Sequence, residues 1–462
     1  MDTGKPRLRG VALYEAQKNR YVVSGGGANI WAQSDAFHFL QRPGSGDLFL
    51  EAKVSWLGAG GNPHRKAGLM MRADQSADAP YVDLMLHGDG LIAMQFRRKV
   101  GSATEEIRAA SGGERTMQLE RHGSLFSAQL IDSSGQLQSV GSFELDLPDT
   151  LLFGLAVCAH DDQRLETAYF NSTAVRSTPK SAIPNRIIES TLEIYDLQTR
   201  MRRIVYRAAR HFEAPNWLGD RLIFNSGGRL FSVPVGGGEP QPFDTGFADR
   251  CNNDHGFSAD GRWLAVSHDY RGGSHIFILP AAGGVPRLLT PKGPSYWHGW
   301  SPDGTTLAYC AQRNKEYDVY TIPFSGGDEK RLTNQQGLDD GPEYSADGRY
   351  IYFNSVRTGV MKIWRMRPDG SLQEQVTFNE AYADWFAHPS PDGKWIIFIS
   401  YDKNVEGHPA NKNVFLRLMP ASGGETSVIA TFFGGQGSLN VPSWSPDSRQ
   451  FAFVSYRLIP GK

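Results

Sequence analysis

Trp300-Ser-Pro-Asp-Gly-Thr-Thr-Leu-Ala-Tyr-Cys310 recurs in altered form along the second half of the chain. The shared element is Ser-x-Asp-Gly: Ser258-Ala-Asp-Gly261, Ser301-Pro-Asp-Gly304, Ser345-Ala-Asp-Gly348 and Ser390-Pro-Asp-Gly393, with Ser445-Pro-Asp-Ser448 closing the series at spacings of 43, 44, 45 and 55 residues. An aromatic residue or Pro precedes each copy (Phe257, Trp300, Tyr344, Pro389, Trp444). An apolar run follows each, such as Trp263-Leu-Ala-Val-Ser267 or Trp395-Ile-Ile-Phe-Ile399. Pro and Asp start a turn, and Gly takes the positive φ that completes it, so the element joins two antiparallel strands.

Working outward, each copy continues into a third strand (Ile276–Leu279, Val319–Ile322, Ile363–Met366, Val414–Leu418), a Gly-rich turn and a short fourth strand ending near Leu-Thr. Four antiparallel strands in about 44 residues make one blade of a β-propeller. A degenerate copy lies upstream, over Pro215–Phe224 and Leu230–Val233. The last copy has about two strands, and Thr191–Tyr195 with Arg202–Tyr206 supply the others. Closure with strands from both ends leaves no open sheet edge. The prediction is six blades over about 190–460. The repeat resembles that of the PD40, or TolB-type, propeller family. The resemblance implies the fold and leaves the activity open.

Residues 1–178 carry no such repeat. Short alternating runs (Asp47–Ser55, Tyr81–Leu86, Leu91–Phe96, Leu152–Cys158) between Gly, Pro, Asp and Ser read as a β-sandwich. Gly25–Trp31, Asp35–Phe39, Lys66–Arg72 and Phe153–Val157 resemble a laminin-G or concanavalin-like jelly roll. That resemblance implies a glycan-binding face near Trp31, His38, Arg72 and Tyr81, or else a domain that only supports the propeller. The expected organisation is an all-β chain: sandwich 1–178, linker 179–189, propeller 190–462.

Composition narrows the function. Forty-eight basic against 49 acidic residues give a net charge of -1, which offers no argument for nucleic acid. The longest apolar runs are too short to span a bilayer. Three cysteines cannot build a disulfide framework. No nucleotide or organic cofactor motif is present. The start lacks the apolar core of a signal peptide, so the expectation is a cytoplasmic protein, or a periplasmic or secreted one with its leader trimmed.

Seven histidines fall in the propeller half: His211, His255, His268, His275, His298, His388 and His408. By blade topology all lie in or beside the loops of the face that opens on the central channel. His255 and His298 both stand three residues before the repeat Ser, and His388 stands two before it. These three are the candidate ligands for Mn²⁺, Zn²⁺ or Ca²⁺. Asp340 and Glu343 hold the acidic loop of the intervening blade. With His268 and His408 they are the candidate acid–base groups, since imidazole titrates near neutral pH. Arg357, Asp384, Trp385, Tyr401 and Asn440 are candidate substrate contacts at the same mouth. A metal-free site and purely structural histidines remain open beside the metal reading.

Two functions follow. One is a carbohydrate-active enzyme, a lyase or glycoside hydrolase acting on an oligo- or polysaccharide. His388-Pro-Ser-Pro-Asp-Gly393 is similar to a stretch of the oligogalacturonate lyases, although two residues shorter and in a six-blade rather than seven-blade count. That resemblance implies a His-held manganese, a base such as His408 or His268, and Arg357 on a uronate carboxylate. The hydrolase version uses Asp340 or Asp384 as acid and Glu343 as base. The other function is a non-catalytic scaffold that binds a glycan, or a protein partner at the channel face.

Overall fold

The computed structural model describes residues 1–111, 115–131, 135, 137–179 and 186–460. Most of the expected linker, 180–185, lies outside the described residues. Contacts divide the chain into one unit of Met1–Ile187, Thr199–Arg203 and Arg457–Lys462, and a second of Ile188–Gln198 and Ile204–Tyr456.

The second unit is a six-bladed propeller. Five blades are four-stranded antiparallel sheets whose first strands are Glu213–Leu218, Cys251–Phe257, Ser295–Trp300, Asp339–Tyr344 and Tyr382–Pro389. The sixth uses Gln450–Pro460, then Arg186–Asp196, then Arg202–Ala208, with Trp444 bridging to Phe451 on its inner side. Strands from both ends of the propeller segment therefore close the ring.

The repeat motif works through side-chain bonds. In blade 2 the Ser258 hydroxyl donates to Asp260 at 2.6 Å and accepts the Trp263 N–H at 3.0 Å. Gly261 N–H donates to Ser258 O at 2.8 Å with Gly261 at φ +67°. The Asp260 carboxylate takes hydrogen bonds from the Ser258 hydroxyl, the Arg262 N–H and the Arg262 guanidinium, which hold its pKa down at about 2. The same bonds recur around Ser301, Ser345, Ser390 and Ser445. The aromatic before the Ser stitches blades together: Trp300 Nε1 donates to Gly256 O, and Trp444 Nε1 to His388 O.

The first unit is a separate β-rich body of two antiparallel sheets. One runs Asp2–Thr3, Ser34–Gly44, Leu151–Cys158, Lys66–Arg72, Tyr81–His87, Leu91–Arg97, Glu105–Ser111, with Asn29–Trp31 paired to Ser34–Gly44. The other runs Leu137–Glu144, Leu125–Ile131, Arg115–His122, Asp47–Trp56, Asp161–Thr178, Arg20–Gly27, Val11–Glu15. Leu50, Val54, Leu69, Leu84, Met94, Leu119 and Phe126 from both sheets form one buried core. The period of two in Lys66–Arg72 and Tyr81–His87 thus sends Ala67, Leu69, Val82 and Leu84 inward and leaves Lys66, Arg72, Asp83 and His87 on the opposite face. That face is itself covered in part. Asp35 accepts from Arg72 and Arg97, each at 2.7 Å, and all three side chains are fully buried. Tyr81 is also fully buried and bonds Thr104 at 3.0 Å, while His38 bonds Asp2 at 2.7 Å. Of the four residues expected to present a glycan face, only Trp31 stays partly exposed.

The three cysteines are free and buried. Among the described residues, no helix is long and apolar enough to cross a membrane.

Candidate functional site

The first strand of each of blades 1 to 5 breaks its ladder register near its middle: between Glu213 and Asn216, Cys251 and His255, Trp297 and Gly299, Asp340 and Glu343, Trp385 and His388. Such a bulge inserts unpaired residues and re-aims side chains. Ala214, Gly341 and Phe386 adopt φ of +55°, +61° and +56° there. At Gly341 a Cβ would meet the Asn354 amide nitrogen at 2.7 Å, so a larger residue there would have to displace that side chain.

The bulges bring together a polar group drawn from several blades. His298 Nε2 lies 3.1 Å from Asp340 Oδ1, and His408 Nε2 lies 3.9 Å from Asp340 Oδ2. His408 comes from the long loop between Trp395–Asp402 and Lys412–Pro420, and its ring packs edge-on against Trp385 at 4.4 Å. Asp254 accepts from Asn440 Nδ2 at 2.6 Å and from Asn252 Nδ2 at 2.9 Å, and it feels the charges of His298, Asp340 and His408. Glu213 in turn feels Asp254 and takes a hydrogen bond from Asn253.

Electrostatics divides this group. Burial pushes the Glu213 carboxyl up to about 7, with the Asp254 charge adding to the effect. Burial also raises Asp254, against the pull of His298. For His298 burial works downward, yet the Asp340, Asp254 and Glu343 carboxylates outweigh it and raise its pKa. Asp340 sits below the usual carboxylate range: burial opposes ionisation, but His298 and His408 prevail.

The three proposed metal ligands do not meet. His255 is fully buried, and its Nδ1 bonds Asn216 of the preceding blade at 2.6 Å. Burial takes its pKa down to about 3, so the ring is neutral. His298 reaches the other way, to Asp340 of the next blade. The cause is register: the blade 2 bulge ends before His255, whereas the blade 3 bulge contains His298. His388 bonds Glu343 through Nδ1 at 2.6 Å and Leu439 O through Nε2 at 3.2 Å, so both ring nitrogens are committed. Among the described residues, no group of three or more His, Cys, Asp or Glu side chains has the geometry to hold a metal ion.

A family model described as the TolB beta propeller domain matches residues 293–414. An uncharacterized protein of Agrobacterium fabrum is 48% identical over 283 residues, covering 60% of this chain and 96% of that protein. A structure solved as a candidate TolB from Agrobacterium tumefaciens shares 48% identity at a TM-score of 0.57, covering 59% of this chain and 99% of that one. The chain belongs to the family of TolB-like β-propellers. The Tol-Pal system protein TolB of Helicobacter hepaticus is a more distant relative, 25% identical over 175 residues, which is 38% of this chain and 40% of that protein.

In this TolB-like propeller most of the other candidate residues already have partners. Arg357 pairs with Asp339 at 2.9 Å, donates to Gln373 and Ser355, and lies over the Trp364 ring at 4.8 Å, so its guanidinium is not free for a substrate carboxylate. Asp384 accepts from Ser400 at 2.6 Å and faces Lys362 at 3.5 Å. Trp385 is 2% exposed and Tyr401 is fully buried with its hydroxyl on Pro409 O, so neither offers a ring face. His268 accepts the Arg250 N–H and packs against Phe247 and Phe277, apart from the channel group. Asn440 does reach the group, as the partner of Asp254. The reading from sequence missed Glu213 and Asp254. Asp254 stands four residues before its repeat Ser and was legible from register; Glu213 sits in the one blade that lacks the motif.

Proposed function

We propose that this chain is a recognition protein whose propeller channel takes up a basic segment of a protein partner. The observation that carries the reading is the Glu213–Asp254 pair. Asp254 is buried and Glu213 is partly buried; their hydrogen-bond partners among the described residues are amides, and the imidazole beside Glu213, His211 at 4.0 Å, has its own pKa lowered by burial. A buried carboxylate without a bonded cation is costly. An incoming ammonium or guanidinium relieves that cost and favours the charged form of both groups. Membership of the TolB-like family supports a non-catalytic role, and the engagement of His255, His388 and Arg357 by Asn216, Glu343 and Asp339 leaves few groups free for catalysis.

The test is calorimetric titration of the full chain with Lys- and Arg-containing peptides beside Asp- and Glu-containing controls. Basic peptides bind saturably, and Glu213→Gln with Asp254→Asn weakens them at least tenfold. Equal binding of acidic controls, or no loss in the double variant, overturns the reading.

A second reading is a carbohydrate-active enzyme. It is favoured by Asp340 standing between two imidazoles and by Glu213 ionising near pH 7, where general acids work best. In that case Asp340 and His298 move the proton, His408 caps the mouth, and the two-sheet unit is a jelly-roll glycan-binding accessory over 1–178. Turnover of polyuronates or glycosides that disappears in Asp340→Asn selects this reading, with or without an added divalent ion.

A further inference from the structure

The sheets of the two-sheet unit end in four edge strands: Asp2–Thr3 and Glu105–Ser111 in one, Leu137–Glu144 and Val11–Glu15 in the other. An edge offers unpaired N–H and C=O groups to any other chain, and proteins blunt it by brevity, charge or cover. Three of the four follow that rule. Asp2–Thr3 has two residues. Glu105–Ser111 carries Glu105, Glu106 and Arg108. Leu137–Glu144 is mostly buried, and Arg202 donates to its Val140 O at 2.7 Å.

Val11–Glu15 breaks it. Val11, Leu13 and Tyr14 are 50%, 62% and 52% exposed. Among the described residues the strand pairs on one side only, with Arg20–Gly27. Leu13 stands opposite Val22, and Val22 opposite Tyr169. Val23 and Phe170, their chain neighbours, point into the shared core, so this row runs over the other face. An apolar row thus crosses three strands and stops at an open edge. Ala12 and Tyr14 point the other way, and the Tyr14 ring lies 4.8 Å from Tyr21.

The occupant is argued from the pattern Arg9-Gly-Val-Ala-Leu-Tyr-Glu15, which complements itself when read antiparallel. With a two-fold axis at Ala12, Val11 of one copy faces Leu13 of the second, and Arg9 faces Glu15. Apolar and opposite-charge pairs across strands both stabilise a sheet. Moving the axis to Leu13 sets Val11 against the Glu15 carboxylate, and moving it to Val11 sets Arg9 against Leu13. Only the Ala12 register satisfies both pairs. Arg9 is exposed, and the Glu15 side chain is 39% exposed, with Arg20 and Lys18 both on its Oε2. We propose that Val11–Glu15 is a self-association edge, through which two copies of this chain pair antiparallel about Ala12 and join their seven-stranded sheets. A two-fold contact of this kind uses the edge of both copies, so it closes at the dimer and does not propagate.

Sedimentation of the full chain from about 1 µM to about 1 mM tests this, the range that suits a small, transient interface. A reversible monomer–dimer equilibrium is expected. Leu13→Lys sets a charge against Val11 of the second copy and raises the dissociation constant at least tenfold. Arg9→Glu raises it roughly threefold by facing Glu15 with a like charge, and Arg9→Glu with Glu15→Arg recovers the parent value. Hydrogen exchange is the second measurement: amides of Val11–Glu15 exchange more slowly as concentration rises in the parent, and not in Leu13→Lys. A monomer throughout, a dimer indifferent to Leu13→Lys, or no recovery in the charge-reversed pair overturns the proposal. Equal protection of these amides at every concentration means that the edge is covered within one chain, and overturns it too.

Discussion

The propeller and the two-sheet unit solve the burial of polar groups in opposite ways. In the propeller the bonds are repeated: each Ser-x-Asp turn copies the last, and His255, His388, Trp300 and Trp444 each bond a neighbouring blade. In the two-sheet unit they occur once and tie residues far apart in sequence, as when Asp35 holds Arg72 and Arg97. Repetition spreads the cost of losing any one bond. A unique network concentrates it. A repeated scaffold can therefore carry departures such as the Glu213–Asp254 pair with little penalty elsewhere.

The largest effect is expected where the bonds are unique. Asp35→Ala leaves two guanidinium groups buried without their carboxylate, and breaking a buried pair on one side costs about 3–5 kcal/mol. Calorimetric melting then shows the two-sheet unit unfolding at lower temperature while the propeller transition stays in place. A shift below about 1 kcal/mol would break the contrast between the two regions.

The next effect is a gain, and it comes from the channel. Folded Glu213 keeps its proton up to about pH 7, whereas the unfolded carboxyl releases it near 4.5. Between those values the folded chain binds more protons, so stability falls as pH rises through that window. The raised pKa corresponds to roughly 3 kcal/mol lost above pH 7. Glu213→Gln removes that loss: the propeller melts higher at pH 8 and its pH dependence between 4.5 and 7 flattens. An unchanged slope would mean that Glu213 is already neutralised by a partner.

The same contrast explains what the sequence reveals. The blade is legible because every copy repeats one set of local bonds, and closure by Arg186–Asp196 follows from counting strands. The meeting of His298, Asp340 and His408 was legible in part, since all three were read as facing the channel and two of the seven histidines do reach Asp340. Their partners were not. A bulge one residue earlier or later reverses the direction of a side chain, so equal distance from the repeat Ser did not make His255 and His298 equivalent. In the two-sheet unit no repeat supplies a register. Arg72 and Tyr81 looked like exposed polar and aromatic contacts, and only the long-range pairing with Asp35 and Thr104 shows them to be interior.

Within the propeller the turns should respond weakly and alike. Ser301→Ala removes the bond to Asp303 at 2.5 Å and the one from Thr306 N–H at 2.9 Å, both near the surface. About 1 kcal/mol is expected, read as a small shift in the denaturation midpoint.

The smallest effect tests whether the last copy, with Ser in place of Gly, is a weakness or a device. Ser448 sits at φ +60°, where a side chain is strained and Gly is not. Yet its hydroxyl accepts the Asp392 N–H at 2.9 Å, tying the last blade to the fifth. Ser448→Gly relieves the strain, loses that bond and frees the unfolded chain. The three terms are each about 1 kcal/mol or less and oppose one another, so the midpoint moves by no more than about 0.5 kcal/mol. Ser448→Ala keeps the strain and loses the bond, and is the more damaging of the two. If Ser448→Gly stabilises by more than about 1 kcal/mol, the hydroxyl contributes nothing to the contact between the last two blades and the Ser is a tolerated flaw in an otherwise regular ring.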